Sequence, residues 1–99
     1  MPGKVKITFS SSALDGLQDV LEYYQELEVS SIGEKLVGDV IRDIELLADH
    51  PDMGRIVPEF ELVDLRELIR PPFRIVYRRD KKKVRIVRVW RSERLMTKP

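Results

Sequence analysis

The chain has no cysteine, a single histidine and no long apolar run, and each shortage removes a class of protein. Without cysteine there can be neither a disulfide scaffold nor a thiolate metal site, a composition at home in a reducing compartment. No stretch approaches the roughly 18 apolar residues that cross a bilayer, so no membrane association is expected. Charged or polar residues interrupt Met1 to Ser12, leaving no apolar core of the signal-peptide kind, and the expected location is cytoplasmic. There is no Gly-rich phosphate loop and no HExxH pattern. His50 sits beside Pro51 at a helix end, where interaction with the helix dipole accounts for it better than catalysis. The acidic residues fall at ordinary solvated helical spacing, so no metal and no cofactor is expected.

What is present is a dense ionic surface around one core. Ninety-nine residues make a single domain, residues 1–99, of which 42% are hydrophobic and 35% charged. The net charge of +1 hides an opposition between two segments. Residues 1–65 carry 5 Lys/Arg against 14 Asp/Glu, a net of −9, and residues 66–99 carry 13 against 3, a net of +10. Two readings follow: the segments attract each other within the fold, or the basic one faces a polyanion or an acidic partner.

Val5, Ile7 and Phe9 alternate with polar residues, which predicts a strand with one buried face. Ser12 followed by Asp15 has the spacing of a capping box. Leu14, Leu17, Val20, Leu21, Tyr24 and Leu27 then form the stripe of an amphipathic helix, weakened at Gly16. Ser31 and Glu34 repeat the cap signal, and Leu36, Val37, Val40, Ile41, Ile44 and Leu47 give a second helix that Pro51 stops. Beyond the turn residues Pro51, Asp52 and Gly54, three strand signals follow: Leu65–Arg70, Phe73–Arg79 and Val84–Trp90. Pro71-Pro72 and the charged turn Asp80–Lys83 separate them. The expected architecture is α+β, in the order β-α-α-β-β-β, with an antiparallel sheet covered on one face by the helical hairpin.

Alternation sends Arg74, Arg78 and either Arg85 or Arg88 to the face away from the helices, as cross-strand neighbours. Clustered like charges without acids read either as a phosphate-contacting surface or as a sheet face kept charged against edge pairing. Tyr24 lies on the apolar stripe, while Tyr23 lies beside it, where it can help form a partner groove. Trp90 shares its expected strand face with Val84 and Ile86, which favours burial over a stacking role.

The order of these features resembles toxins of the RelE/ParE superfamily. Ala13–Tyr24, with Leu17 and Val20 at its apolar positions, is similar to their opening helix, "A-xx-DL-xx-I-xx-Y". Leu47–Arg55, carrying Pro51 and Gly54-Arg55, resembles the "L-xxx-P-xx-GR" turn. Arg66-Glu67-Leu68 resembles the "R-x-L" strand, Phe73–Tyr77 the "YRIVY" strand, and Val84–Trp90 the "V-x-I-x-RV" strand. The long hairpin before Pro51 is closer to the ParE and plasmid-stabilisation branch.

The resemblance implies a small cytoplasmic toxin of a type II toxin–antitoxin pair, held by a cognate antitoxin through which it oligomerises. Its implied target is DNA gyrase, as for ParE-like relatives; the alternative is the ribosome, where RelE-like relatives cut messenger RNA. A third reading is a degenerate, non-toxic relative that only binds antitoxin. Arg66 and Arg74 match family positions that can contact RNA. With the arginines of the exposed sheet face and the tail, the expected target contacts are Arg74, Arg78, Arg88, Arg91 and Arg94, and the expected antitoxin contacts Tyr23, Arg74 and Trp90. If the chain were RelE-like, Arg66, Arg74 and Arg91 would be catalytic. Arg91, however, stands where many relatives carry a histidine, and no tyrosine follows Tyr77. Arginine is a poor proton acceptor at neutral pH, so the expectation leans to a non-nucleolytic toxin.

Overall fold

In the computed structural model, which describes residues 4–60 and 62–91, the chain forms β1 (Lys6–Phe9), α1 (Ser11–Glu26), α2 (Ser30–Leu46), β2 (Arg55–Ile56), β3 (Leu65–Arg70), β4 (Phe73–Arg79) and β5 (Lys83–Arg91). The strands make one sheet in the order β1-β5-β4-β3-β2. The meander β3–β5 is antiparallel, as the short links require, and the helical hairpin lies over one face. Two features were not visible in the residue pattern. β1 joins the sheet parallel to β5, with Ile7 opposite Val84 and Phe9 opposite Ile86, and the two-residue β2 extends the other edge. A period of two reports a buried face but not the direction of the neighbouring strand.

The cap of α1 lies two residues earlier than expected. Ser10 is the N-cap: its hydroxyl accepts from the Ala13 amide at 3.0 Å and donates to the Val87 carbonyl at 2.7 Å, tying the helix start to β5. The buried line of α1 runs through Ala13, Leu17 and Val20, with Tyr24 packed behind, while Leu14 and Leu27 are about half exposed. Gly16 sets this rotation. A Cβ there would meet the Val89 carbonyl oxygen at 2.3 Å, so the helix presents its bare glycine to β5 and turns Leu14 outward.

Between the helices Glu28 adopts φ 63°, the left-handed conformation that ends α1 tightly. α2 then begins at Ser30 after Val29, which makes no side-chain cap bond, so the Ser31–Glu34 signal is not used. Gly33 lets the helices close on each other, since a Cβ there would lie 2.9 Å from the Tyr24 Cβ. Val40, Ile44 and Leu47 are buried and Leu36 packs partly against them, as their spacing predicts. Together with Phe73, Ile75, Tyr77, Val84, Ile86 and Val89 they make the main core.

Candidate interaction surface

The other face of the sheet carries a second, small apolar cluster: Val57, Leu65 and Val76, with Val87 and Trp90 packed on it. Trp90 is here because of a β-bulge, and not on the face of Val84 and Ile86 where simple alternation puts it. Tyr77 pairs with Ile86 but the next residue back, Val76, pairs with Arg88, so Val87 is the extra residue of β5. Such a bulge turns two successive residues to the same side and inverts the alternation after it. Val89 therefore faces the helices and Trp90 the outer face.

Around Trp90 the outer face is electrostatically organised. The Arg88 guanidinium lies 4.5 Å from the indole centroid and that of Arg74 lies 5.8 Å away, so two cations flank one ring. The indole Nε1 finds no hydrogen-bond partner among the described residues. Arg74 is itself neutralised: it donates to Glu67 at 2.6 Å and to Glu59 at 3.1 Å. Burial alone would lower its basicity, but the bonds to Glu67 and Glu59 outweigh this and hold it above its usual range. The same Arg74 contact pushes the Glu59 carboxyl below its ordinary value. Glu67 is fully buried between Arg74 and Arg55, which donates at 2.6 Å. Arg78 pairs with Asp64 at 2.6 Å. Three of the arginines on this face thus have acids that the sequence pattern did not assign to them.

β1 stops opposite Ile86, and among the described residues no strand lies beside the last residues of β5 on that edge. There a groove of about 800 Å³ opens between α1 and the end of β5. Asp15, Asp19 and the exposed Tyr23 form its helical wall; Arg88, Trp90 and Arg91 form the other. Arg91 lies over Tyr23 at 5.1 Å, and Tyr23 meets Tyr24 edge-on at 5.0 Å between centroids.

The structure therefore gathers some of the candidate residues and separates others. Tyr23 and Trp90 share the groove, with Arg74 behind the indole. Arg74, Arg78 and Arg88 share the outer face, whereas Arg91 pairs across the sheet with Phe73 on the helix side. Arg66 also faces the helix side, opposite Tyr77, where it donates to the Gly54 carbonyl at 2.9 Å and pairs with Asp52. Arg66, Arg74 and Arg91 thus do not converge. Arg94 lies outside the described residues. His50 is exposed in the loop after α2, and neither lines the groove nor joins a group of three metal-ligating side chains among the described residues.

One latch was missed in the sequence altogether. The Tyr77 hydroxyl accepts from the Gly54 amide at 3.0 Å and donates to the Pro51 carbonyl at 2.8 Å, holding the turn after α2. Burial raises the Tyr77 phenol above its ordinary value. Gly54 is required there, since a Cβ would lie 2.6 Å from the Glu67 carbonyl oxygen and 2.7 Å from the Tyr77 hydroxyl. Gly54 and Tyr77 both stood in the motifs quoted above, but nothing local links them.

A helical hairpin over one face of a mixed five-stranded sheet is also the fold of toxin–antitoxin proteins of the RelE/ParE class. A chain of the chromosomal ParDE system from P. aeruginosa superposes with a TM-score of 0.72 and 23% sequence identity, over 89% of this chain and 96% of that one. A chain of the RelBE2 toxin–antitoxin complex from Mycobacterium tuberculosis gives 0.67 and 20%, over 89% and 98%. No curated protein matches the chain in sequence. The family model for the ParE toxin of the type II toxin–antitoxin system parDE matches residues 7–96, and the chain belongs to that family.

Proposed function

We propose that this toxin arrests growth by inhibiting DNA gyrase without cutting RNA, and that a co-expressed antitoxin neutralises it in the cytoplasm. The observation that carries the non-nucleolytic reading is the dispersal of Arg66, Arg74 and Arg91 over two faces of the sheet. Cleavage of a phosphodiester needs a proton acceptor and free cations converging on one phosphate. Arg66 is committed to the 52–54 turn and Arg74 to two carboxylates. None of the three arginines accepts a proton at neutral pH.

The antitoxin segment we place in the α1–β5 groove is acidic and amphipathic. Its apolar side chains would lie against Tyr23 and Trp90, and its carboxylates toward Arg88 and Arg91. Asp15 and Asp19 on the opposite wall repel a misplaced acid and so help set its register. Charge complementarity of this kind makes association fast and salt-sensitive.

The test is a gyrase supercoiling assay run beside primer extension on translated messenger RNA, with one preparation of the toxin. Loss of supercoiling with intact transcripts is the expected result. Ribosome-dependent cuts with unaffected gyrase would establish the RelE-like alternative instead. Activity in neither, with tight antitoxin binding, would mark a degenerate relative.

A further inference from the structure

The cations of the outer face fall into two groups that the structure treats differently. Toward β3, Arg55, Arg74 and Arg78 are each bonded to Glu67, Glu59 or Asp64. Toward β1 there is no such compensation. Lys6 stands opposite Lys83, and Thr8 opposite Arg85, which in turn stands opposite Arg78 on β4. Arg88 follows along β5 on the same side, brought there by the bulge. Neither β1 nor β5 contains an aspartate or glutamate. Lys6, Lys83 and Arg85 are exposed and make no side-chain hydrogen bond or ion pair among the described residues, and Arg88 stacks over the Trp90 ring.

Like charges set on neighbouring strands repel, and this corner holds four of them that form no ion pair among the described residues, Lys83 feeling the field of Asp80 in the adjoining turn. From this we infer that the β1–β5 half of the outer face is a contact surface for the sugar-phosphate backbone of a nucleic acid, read without regard to sequence. The site stands apart from the antitoxin groove at Lys6, Lys83 and Arg85, and is independent of whether gyrase is the toxin's target. A phosphate chain fits better than an acidic protein segment for a reason visible in the same corner. The exposed large apolar side chains among the described residues, such as Leu14, Tyr23, Phe60, Val63 and Ile69, lie on other elements or in loops, and none is on β1 or β5. Around Lys6, Lys83 and Arg85, away from Trp90, a peptide would find charge but no exposed large apolar side chain to anchor on, whereas backbone contacts to phosphate need only charge and donors. Residues two apart on a strand are roughly 6.6 Å apart and adjacent strands about 4.8 Å, so the four cations form a short two-dimensional array rather than a point charge. Two of them are guanidinium forks, which engage phosphate oxygens in pairs.

The test measures binding of the full chain to fluorescent duplex DNA and to a matched duplex RNA by anisotropy, between about 50 and 200 mM salt. Four phosphate contacts predict that log K falls with log salt with a slope of about −3 to −4 on the DNA. Lys83→Gln and Arg85→Gln, both on exposed positions, should each reduce the slope by about 1. Lys35→Gln removes the same charge from the outer side of α2 and should leave the slope unchanged. Binding of either duplex on these terms supports the proposal, and the tighter of the two names the source of the phosphate. A slope unaffected by Lys83→Gln and Arg85→Gln overturns it, as does an equal loss in Lys35→Gln, which would reduce the effect to net charge. Displacement of the duplex by polyglutamate at equal charge concentration would also overturn it, by assigning the corner to an acidic protein.

Discussion

Gly16 of α1 and Val89 of β5 touch backbone to backbone, so closely that a Cβ on Gly16 would stand 2.3 Å from the Val89 carbonyl oxygen. That contact fixes how the hairpin sits on the sheet. It also reverses what helix propensity alone would say. Alanine at an interior helical position usually gains up to about 1 kcal/mol over glycine, but here the methyl must push the helix off the strand. Gly16→Ala should destabilise by about 1–3 kcal/mol, the usual cost of overpacking. Gly38 on α2 is the internal control, because a Cβ there meets nothing within 4 Å. Gly38→Ala should stabilise by roughly 0.5–1 kcal/mol. Urea unfolding of the two variants checks both signs at once; stabilisation in both would remove the close contact.

Tyr77 should matter through one atom. Tyr77→Phe keeps the ring in the core but leaves the Gly54 amide without its acceptor. A buried donor left unpaired costs about 1–3 kcal/mol. The expected outcome is a lower urea midpoint with an unchanged slope, together with faster hydrogen exchange at Gly54. Wild-type stability would mean that the latch contributes nothing.

Glu67 is the pivot of the outer face. Glu67→Gln preserves shape but replaces two charge-assisted bonds, to Arg55 and Arg74, with weaker ones. A loss of about 2–3 kcal/mol is expected. Arg74 should also loosen against the indole, so the Trp90 fluorescence of the folded state should change. An unaltered emission spectrum would show that Arg74 does not depend on Glu67 for its position.

Acid should weaken the fold in a defined direction. Asp39 is lowered by its bonds to Arg42 and Lys35, Glu59 by Arg74, and Asp80 by the Lys82 and Lys83 amides. A carboxyl with a folded pKa below its unfolded one adds stability that is full above the unfolded value. That stability is lost as pH falls through the folded value. The ordinary values are 3.8 for the aspartates and 4.5 for Glu59, so the decline sets in below them. Glu59 and Asp80 are exposed and Asp39 is partly so, so the loss should be modest and smaller in high salt. Urea midpoints followed downward from about pH 6 check this; a midpoint that rises toward pH 3 would contradict it.

Much of this architecture was legible in the residue pattern, because burial imposes periodicity. Val40, Ile44 and Leu47 at helical spacing, and Leu65–Arg70, Phe73–Arg79 and the final strand between their turns, could be placed directly. What escaped was set by contacts between distant segments. Ser10 rather than Ser12 caps α1 because its hydroxyl also reaches Val87, 77 residues away. Leu14 turns outward because Gly16 approaches Val89. Trp90 changes face through one extra residue in β5, which alternation cannot register. The acids that neutralise Arg74 arrive from β3 and from the segment before it. Glu67 carried a faint signal, as the lone acid of β3 among arginines and aliphatics.

The most direct test of the account is the order in which synthesis fails after the toxin is induced without antitoxin. Labelled thymidine and labelled methionine incorporation, followed in the same culture, separate the two targets. A gyrase inhibitor predicts that DNA synthesis stops first while translation continues, with the DNA-damage response switched on. Translation collapsing within minutes while replication proceeds would contradict the account and identify the ribosome as the target.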